Sequence, residues 1–102
     1  MYAIAFDLDT ESLKTSYPNE SYANAYADIR KVLEAAGFSW RQGSVYFGDP
    51  DRVTAVSCVL VMQDLAERFS WFAACVRDVR MLRIEENNDL QPAIQAVTGG
   101  KE

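Results

Sequence analysis

Tyr2, Ile4, Phe6 and Leu8 alternate with Ala3, Ala5 and Asp7, the two-residue period of a β-strand. Small side chains on the second face let both sides be covered, so residues 1–8 read as a buried central strand carrying one carboxylate, Asp7. Residues 9–12 and 16–21, the latter with Pro18 and Asn19, read as loop. The period then changes. Tyr22, Ala25, Tyr26, Ile29, Val32, Leu33 and Ala36 recur at three and four, with Asp28, Arg30, Lys31 and Glu34 on the other side, which predicts an amphipathic helix. Gly37 is its expected left-handed terminator, and Phe38 is placed to pack back on Leu33.

Residues 38–41 and 44–47 are short runs of aromatic and β-branched residues around Gln42-Gly43. They predict either a tight hairpin or one strand with a bulge at Gly43. Asp49 as N-cap with Pro50 at the first helical position starts a second helix, expected to run to about Phe69. Its first half is rich in β-branched residues, which suits a strand as well. The run of about twenty residues without a turn signal and the helix-favouring residues 63–68 decide for helix. Residues 70–72 break it, and residues 76–85 read as the last strand, its alternation changing phase through a bulge near Met81 or burial on both sides. A short helix over residues 89–97, begun or interrupted at Pro92, precedes a flexible tail at residues 98–102. Two strand-helix-strand units predict one α+β domain, residues 1–97, of ferredoxin-like βαββαβ form: an antiparallel sheet with helices on one face.

Composition narrows the chemistry more than the fold. A chain of 102 residues is one domain by size, and 49% apolar with 25% charged residues is ordinary globular usage. No apolar run approaches the ~20 residues of a membrane span, and residues 1–8 have no basic lead-in of a signal peptide; a soluble, cytoplasmic protein is expected. Cys58 and Cys75 form no CxxC pair and read as small buried hydrophobes. Histidine is absent. That excludes Ser-His and Cys-His nucleophile pairs and histidine acid–base catalysis, and it leaves a poor zinc ligand set. Any metal would be hard and oxygen-bound, such as Mg2+ or Mn2+. The net charge of −5 weighs mildly against nucleic-acid binding, yet three of the ten basic residues, Arg77, Arg80 and Arg83, fall within seven positions.

Residues 1–8 (MYAIAFDL), residues 42–46 (QGSVY), and Trp71-Phe72 followed by residues 76–80 (VRDVR) and 83–85 (RIE) occur in an order and spacing that closely resembles the virulence-associated protein D (VapD) family. The likeness spans residues 1–97 and is also similar to the small CRISPR-associated adaptation nucleases, whose first strand ends in an aromatic-Asp-aliphatic triplet. It implies a ferredoxin-like homodimer with endoribonuclease activity on RNA. It also implies a toxin role opposite an antitoxin protein in some members.

The residues themselves leave Asp7 open: a metal ligand or general base, or a structural carboxylate capping a loop or pairing with an arginine. The resemblance ties this position to catalysis. A shared Mg2+ or Mn2+ would need two copies of Asp7 brought together by a symmetric dimer. Ser44, beside Gly43, is the second catalytic candidate, as an assisting polar group or as a plain strand serine. Gln42, Arg77 and Arg80 are candidate substrate contacts, the guanidinium forks being suited to phosphate. Cross-strand ion pairing with Asp78, Glu85 or Asp7 is the bland alternative for the arginines. Tyr2, Trp40, Tyr46 and Trp71 either stack on bases or fill the core and dimer interface. Asp9 and Glu11 read as solvated loop acids. A non-catalytic homodimeric adaptor that keeps the fold is the alternative function.

Overall fold

The computed structural model describes residues 1–99. Its elements are β1 (Tyr2–Leu8), α1 (Thr10–Ser16), α2 (Asn24–Ala35), β2 (Phe38–Gln42), β3 (Val45–Gly48), α3 (Ala55–Arg68), α4 (Phe72–Cys75), β4 (Val76–Arg83) and α5 (Gln91–Thr98). The four strands form one antiparallel sheet in the order β2-β3-β1-β4. This is the expected ferredoxin-like arrangement. Of the tail expected at residues 98–102, Thr98 still belongs to α5, and residues 100–102 lie outside the described residues.

Alternation decides which face is covered. Ile4, Phe6 and Leu8 of β1 join Tyr46 of β3 and Phe38 of β2 in the core, under Ala25, Ile29, Val32 and Leu33 of α2 and Cys58, Val61 and Leu65 of α3. The opposite face carries Ala3, Ala5 and Asp7 beside their cross-strand partners Phe47 and Val45 on one side and Leu82, Arg80 and Asp78 on the other. Among the described residues it has no helix layer. Gly37 is left-handed at φ +101°, as expected for the end of α2.

Four local expectations are corrected. The loop after β1 contains α1, which buries a single apolar residue, Leu13; one residue cannot make a visible period. The second helix starts at Ala55, with Thr54 as N-cap in place of Asp49. The Ser57 N–H donates to Thr54 Oγ1 at 3.2 Å and the Thr54 N–H donates to Ser57 Oγ at 3.0 Å, closing a reciprocal cap. Asp49 instead accepts from the Asp51 N–H at 2.9 Å and makes one isolated turn that drops Val53 into the core. The break after α3 contains α4, whose Phe72 and Cys75 are buried. The bulge expected near Met81 lies at Arg77: Asp7 pairs with Asp78 and Leu8 with Val76, leaving Arg77 unmatched. Of the two readings of residues 38–47, the hairpin is present, turning at Gly43-Ser44 with Gly43 at φ +50°, and a second bulge skips Arg41.

The segment between α1 and α2 is pinned by Tyr17. Its ring meets the Trp71 ring edge-on at 5.2 Å, and its O–H donates to Asp28 Oδ2 at 2.6 Å. That hydrogen bond to the carboxylate, then burial, raises the phenol's pKa. A raised folded pKa means stability present below the ordinary value near 10 and lost as pH climbs through the folded value. Tyr17→Phe is therefore expected to lose about 1 kcal/mol near neutral pH. Its deficit should shrink above pH 10 in urea unfolding curves; a deficit constant with pH would refute the link.

Candidate active site

Asp7 lies at the end of β1 on the uncovered face, where its side chain is 61% exposed although the strand around it is buried. Burial therefore does not set its chemistry. Asp78 is its direct cross-strand partner, so two carboxylates face each other, an arrangement that is unfavourable without counter-charge. Arginines supply it. Arg77 Nη1 lies 3.8 Å from Asp7 Oδ2, and Arg80 Nε donates to both Asp78 oxygens at 3.0 and 3.2 Å. The bulge at Arg77 permits the first contact by freeing that residue from the strict alternation of β4.

Arg77 is itself held. Its Nη2 donates to Asp9 Oδ1 at 3.2 Å, while Asp9 Oδ2 accepts from the Ser12 hydroxyl at 2.7 Å. The Asp9 pKa is lowered, first by that hydroxyl; burial opposes this, and a backbone hydrogen bond at Glu11, the Arg77 charge and the Arg77 hydrogen bond add to the lowering. Asp9 thus belongs to the site, as the α1 N-cap residue that anchors Arg77 beside Asp7. Read along the chain, it is indistinguishable from Glu11; only the bulge opposite reveals it.

Ser44 lies opposite Phe6, whose N–H donates to the Ser44 carbonyl at 3.1 Å. Its side chain borders a hollow of about 380 Å³ between α2 and the β2–β3 turn, walled by Phe6, Tyr26, Arg30, Trp40 and Tyr46. The Tyr26 phenol's pKa is raised by burial first, then by the Asp7 charge and Tyr22. Neither Tyr26 nor Arg30 stands out in the sequence. Gln42 sits elsewhere. The bulge at Arg41 leaves it opposite Val45, on the uncovered face, where it borders residues 87–90. Arg83 pairs with Glu85 at 3.5 Å and lies opposite Tyr2, at the far end of β1 from Asp7. Trp71 is buried among Tyr17, Phe69 and Phe72 and has a core role.

Cys58 and Cys75 are buried free thiols whose pKa values burial raises, so neither is an activated nucleophile. Among the described residues no three Asp, Glu or Cys side chains converge as metal ligands. Among the described residues one chain's donors do not fit a resident divalent cation, since the two facing carboxylates, Asp7 and Asp78, are engaged by Arg77 and Arg80. Among the described residues no helix is long and apolar enough to cross a membrane.

Residues 1–91 match the family described as CRISPR associated protein Cas2. An endoribonuclease VapD homolog of Helicobacter pylori is 57% identical over 97 residues, which cover 95% of this chain and 99% of that protein. Endoribonuclease VapD 2 of Riemerella anatipestifer is 54% identical over 94 residues, covering 92% and 99% of the two chains. The endoribonuclease VapD of Dichelobacter nodosus is 38% identical over 95 residues, covering 93% and 98%.

Proposed function

We propose, from the premise that this chain belongs to the VapD family within the wider Cas2 family, that it is an endoribonuclease cutting RNA phosphodiester bonds. The observation that carries the proposal is the pairing of an exposed carboxylate, Asp7, with an anchored guanidinium, Arg77, at the end of the central strand. In a chain without histidine, Asp7 is the general base. It takes the proton from the attacking hydroxyl, either the RNA 2′-OH or a water, as the new P–O bond forms and the bond from phosphorus to the leaving ribose oxygen breaks, that oxygen taking its proton from solvent. Arg77 meets the charge that develops on the phosphorus oxygens. Ser44, from the neighbouring turn, assists by hydrogen bonding, and Arg80 adds a phosphate contact. Gln42, on the uncovered face, is placed for substrate passing over that face rather than for the reacting group.

A homodimer is part of the same proposal. Its support is the uncovered sheet face, where Leu82 is 47% exposed and lies across Ala3 from Phe47, and α5, which buries none of its residues and leaves Ile94 and Val97 exposed. A two-fold stacking of that face brings two Asp7 side chains toward one another, the arrangement in which Mg2+ or Mn2+ would find two carboxylates. A toxin role opposite an antitoxin is the finer form of the reading and rests on family resemblance alone. A cytoplasmic location goes with an RNA substrate and with two unpaired cysteines. A dimer carrying twice −5, or −10, makes RNA affinity modest and dependent on salt.

The test is end-labelled single-stranded RNA incubated with the purified protein, with and without EDTA. Cleavage that survives EDTA is expected if Asp7 acts alone. Cleavage abolished by EDTA and restored by Mg2+ assigns a cation to the paired carboxylates. No cleavage under either condition overturns the nuclease and favours the adaptor. Sedimentation should return two copies of the 11.5 kDa chain, and a monomer at working concentration removes the shared-ion arrangement.

A further inference from the structure

Around the hollow, Tyr26 and Trp40 are 36% and 44% exposed. The Trp40 indole is fixed in place: its Nε1–H donates to the Gly43 carbonyl at 2.8 Å, across the β2–β3 turn. The Arg30 guanidinium lies over the Trp40 ring, 4.6 Å from its centroid, and Glu34 braces it at Nε from 3.6 Å. Phe6 and Tyr46, stacked at 6.1 Å, close the inner side. The walls are therefore flat, aromatic and set before any ligand arrives. The polar groups are few: the Tyr26 and Ser44 hydroxyls and the guanidinium. About 380 Å³ lies within the range of small-molecule sites.

We propose, given the RNA-cleaving activity proposed above, that this hollow is a subsite for one unpaired nucleobase of the RNA. The base stacks on the aromatic and guanidinium walls, and the Tyr26 and Ser44 hydroxyls meet its edge. Stacking suits the walls because every base has a π-face, and single-stranded RNA exposes those faces. An apolar peptide side chain would gain nothing from a guanidinium stacked on indole, whereas a planar, electron-rich heterocycle does. Proximity links the hollow to the chemistry. Ser44 and Phe6 line it, and the Phe6 N–H donates to the Ser44 carbonyl at 3.1 Å one residue before Asp7, so a seated base sets which phosphate reaches Asp7.

Trp40 is also the reporter, since Trp71 is buried. Nucleoside monophosphates titrated into the protein should quench Trp40 fluorescence saturably, while ribose 5-phosphate, which lacks the base, should leave it unchanged. Trp40→Leu should abolish that quenching and raise KM for RNA by about tenfold with kcat nearly constant. Arg30→Gln, at an exposed position, should raise KM in the same direction. Equal quenching by ribose 5-phosphate, or cleavage with an unchanged KM in both variants, overturns the subsite while leaving the nuclease standing. Base-dependent quenching by a protein that cuts no RNA keeps the subsite and overturns the nuclease alone.

Discussion

Asp7→Asn should lower RNA cleavage by at least about 100-fold, the usual scale of a lost general base, and leave the urea midpoint unmoved. The two halves of this expectation have separate causes. Asparagine keeps the shape of the side chain but cannot accept the proton of an attacking hydroxyl. The fold is indifferent because Asp7 is 61% exposed and its contact with Arg77, at 3.8 Å, is a long, solvated ion pair of a kind worth little. Removing one of two facing carboxylates even relieves repulsion with Asp78. Wild type and variant should therefore unfold together and differ only in cleavage. Equal cleavage by both would trace the activity to a contaminant and remove Asp7 from the mechanism.

The largest effect on stability is expected at Gly48. A Cβ there would lie 2.7 Å from Val53 Cγ1, 2.8 Å from Val53 Cβ and 3.1 Å from the Tyr2 carbonyl oxygen. None of these can withdraw cheaply. Val53 is buried, its N–H is bonded to the Asp49 carbonyl at 2.8 Å, and Tyr2 belongs to the central strand. Gly48→Ala should cost about 2–3 kcal/mol by overpacking, equivalent to roughly 10 °C or more in Tm for a domain of this size. Val53→Ala removes Cγ1, the nearest of these atoms, while its Cβ stays, so the double variant should be more stable than the sum of the single losses predicts, with part of the loss remaining. Full additivity in urea unfolding would show that the Val53 Cγ1 methyl is not the obstacle.

Much of the fold was legible along the chain wherever a period ran long enough. The alternation of β1 and the three-and-four spacing of α2 are visible because one face of each is continuously apolar. α1 was not legible, since Leu13 alone anchors its seven residues. Two helix starts compete between residues 49 and 57, and local preference favours Asp49-Pro50. Val53 decides the matter: its burial against Gly48 ends the first turn and leaves Thr54 to begin the helix. The site was legible in a similarly uneven way. Asp7 stood out through the likeness to a family, but its partners depend on two bulges that alternation cannot foretell. One brings Arg77 to Asp7 and Asp9; the other places Gln42 beside Val45 and away from Ser44. Tyr26 reads as part of the apolar stripe of α2 and Arg30 as part of its polar side until the hairpin turn sets Trp40 and Ser44 beside them.

The sheet order leaves β4 as an outer strand, paired only with β1 along its eight residues. Such an edge offers unpaired amide and carbonyl groups to any similar strand, the usual route to edge-to-edge aggregation. Arg77, Arg80 and Arg83 punctuate this edge at every third position, with side chains 62%, 71% and 70% exposed. Antiparallel approach of a second β4 would set arginines against arginines before a ladder could form. The cluster that reads at first as a phosphate clamp therefore also lines the open edge with charge.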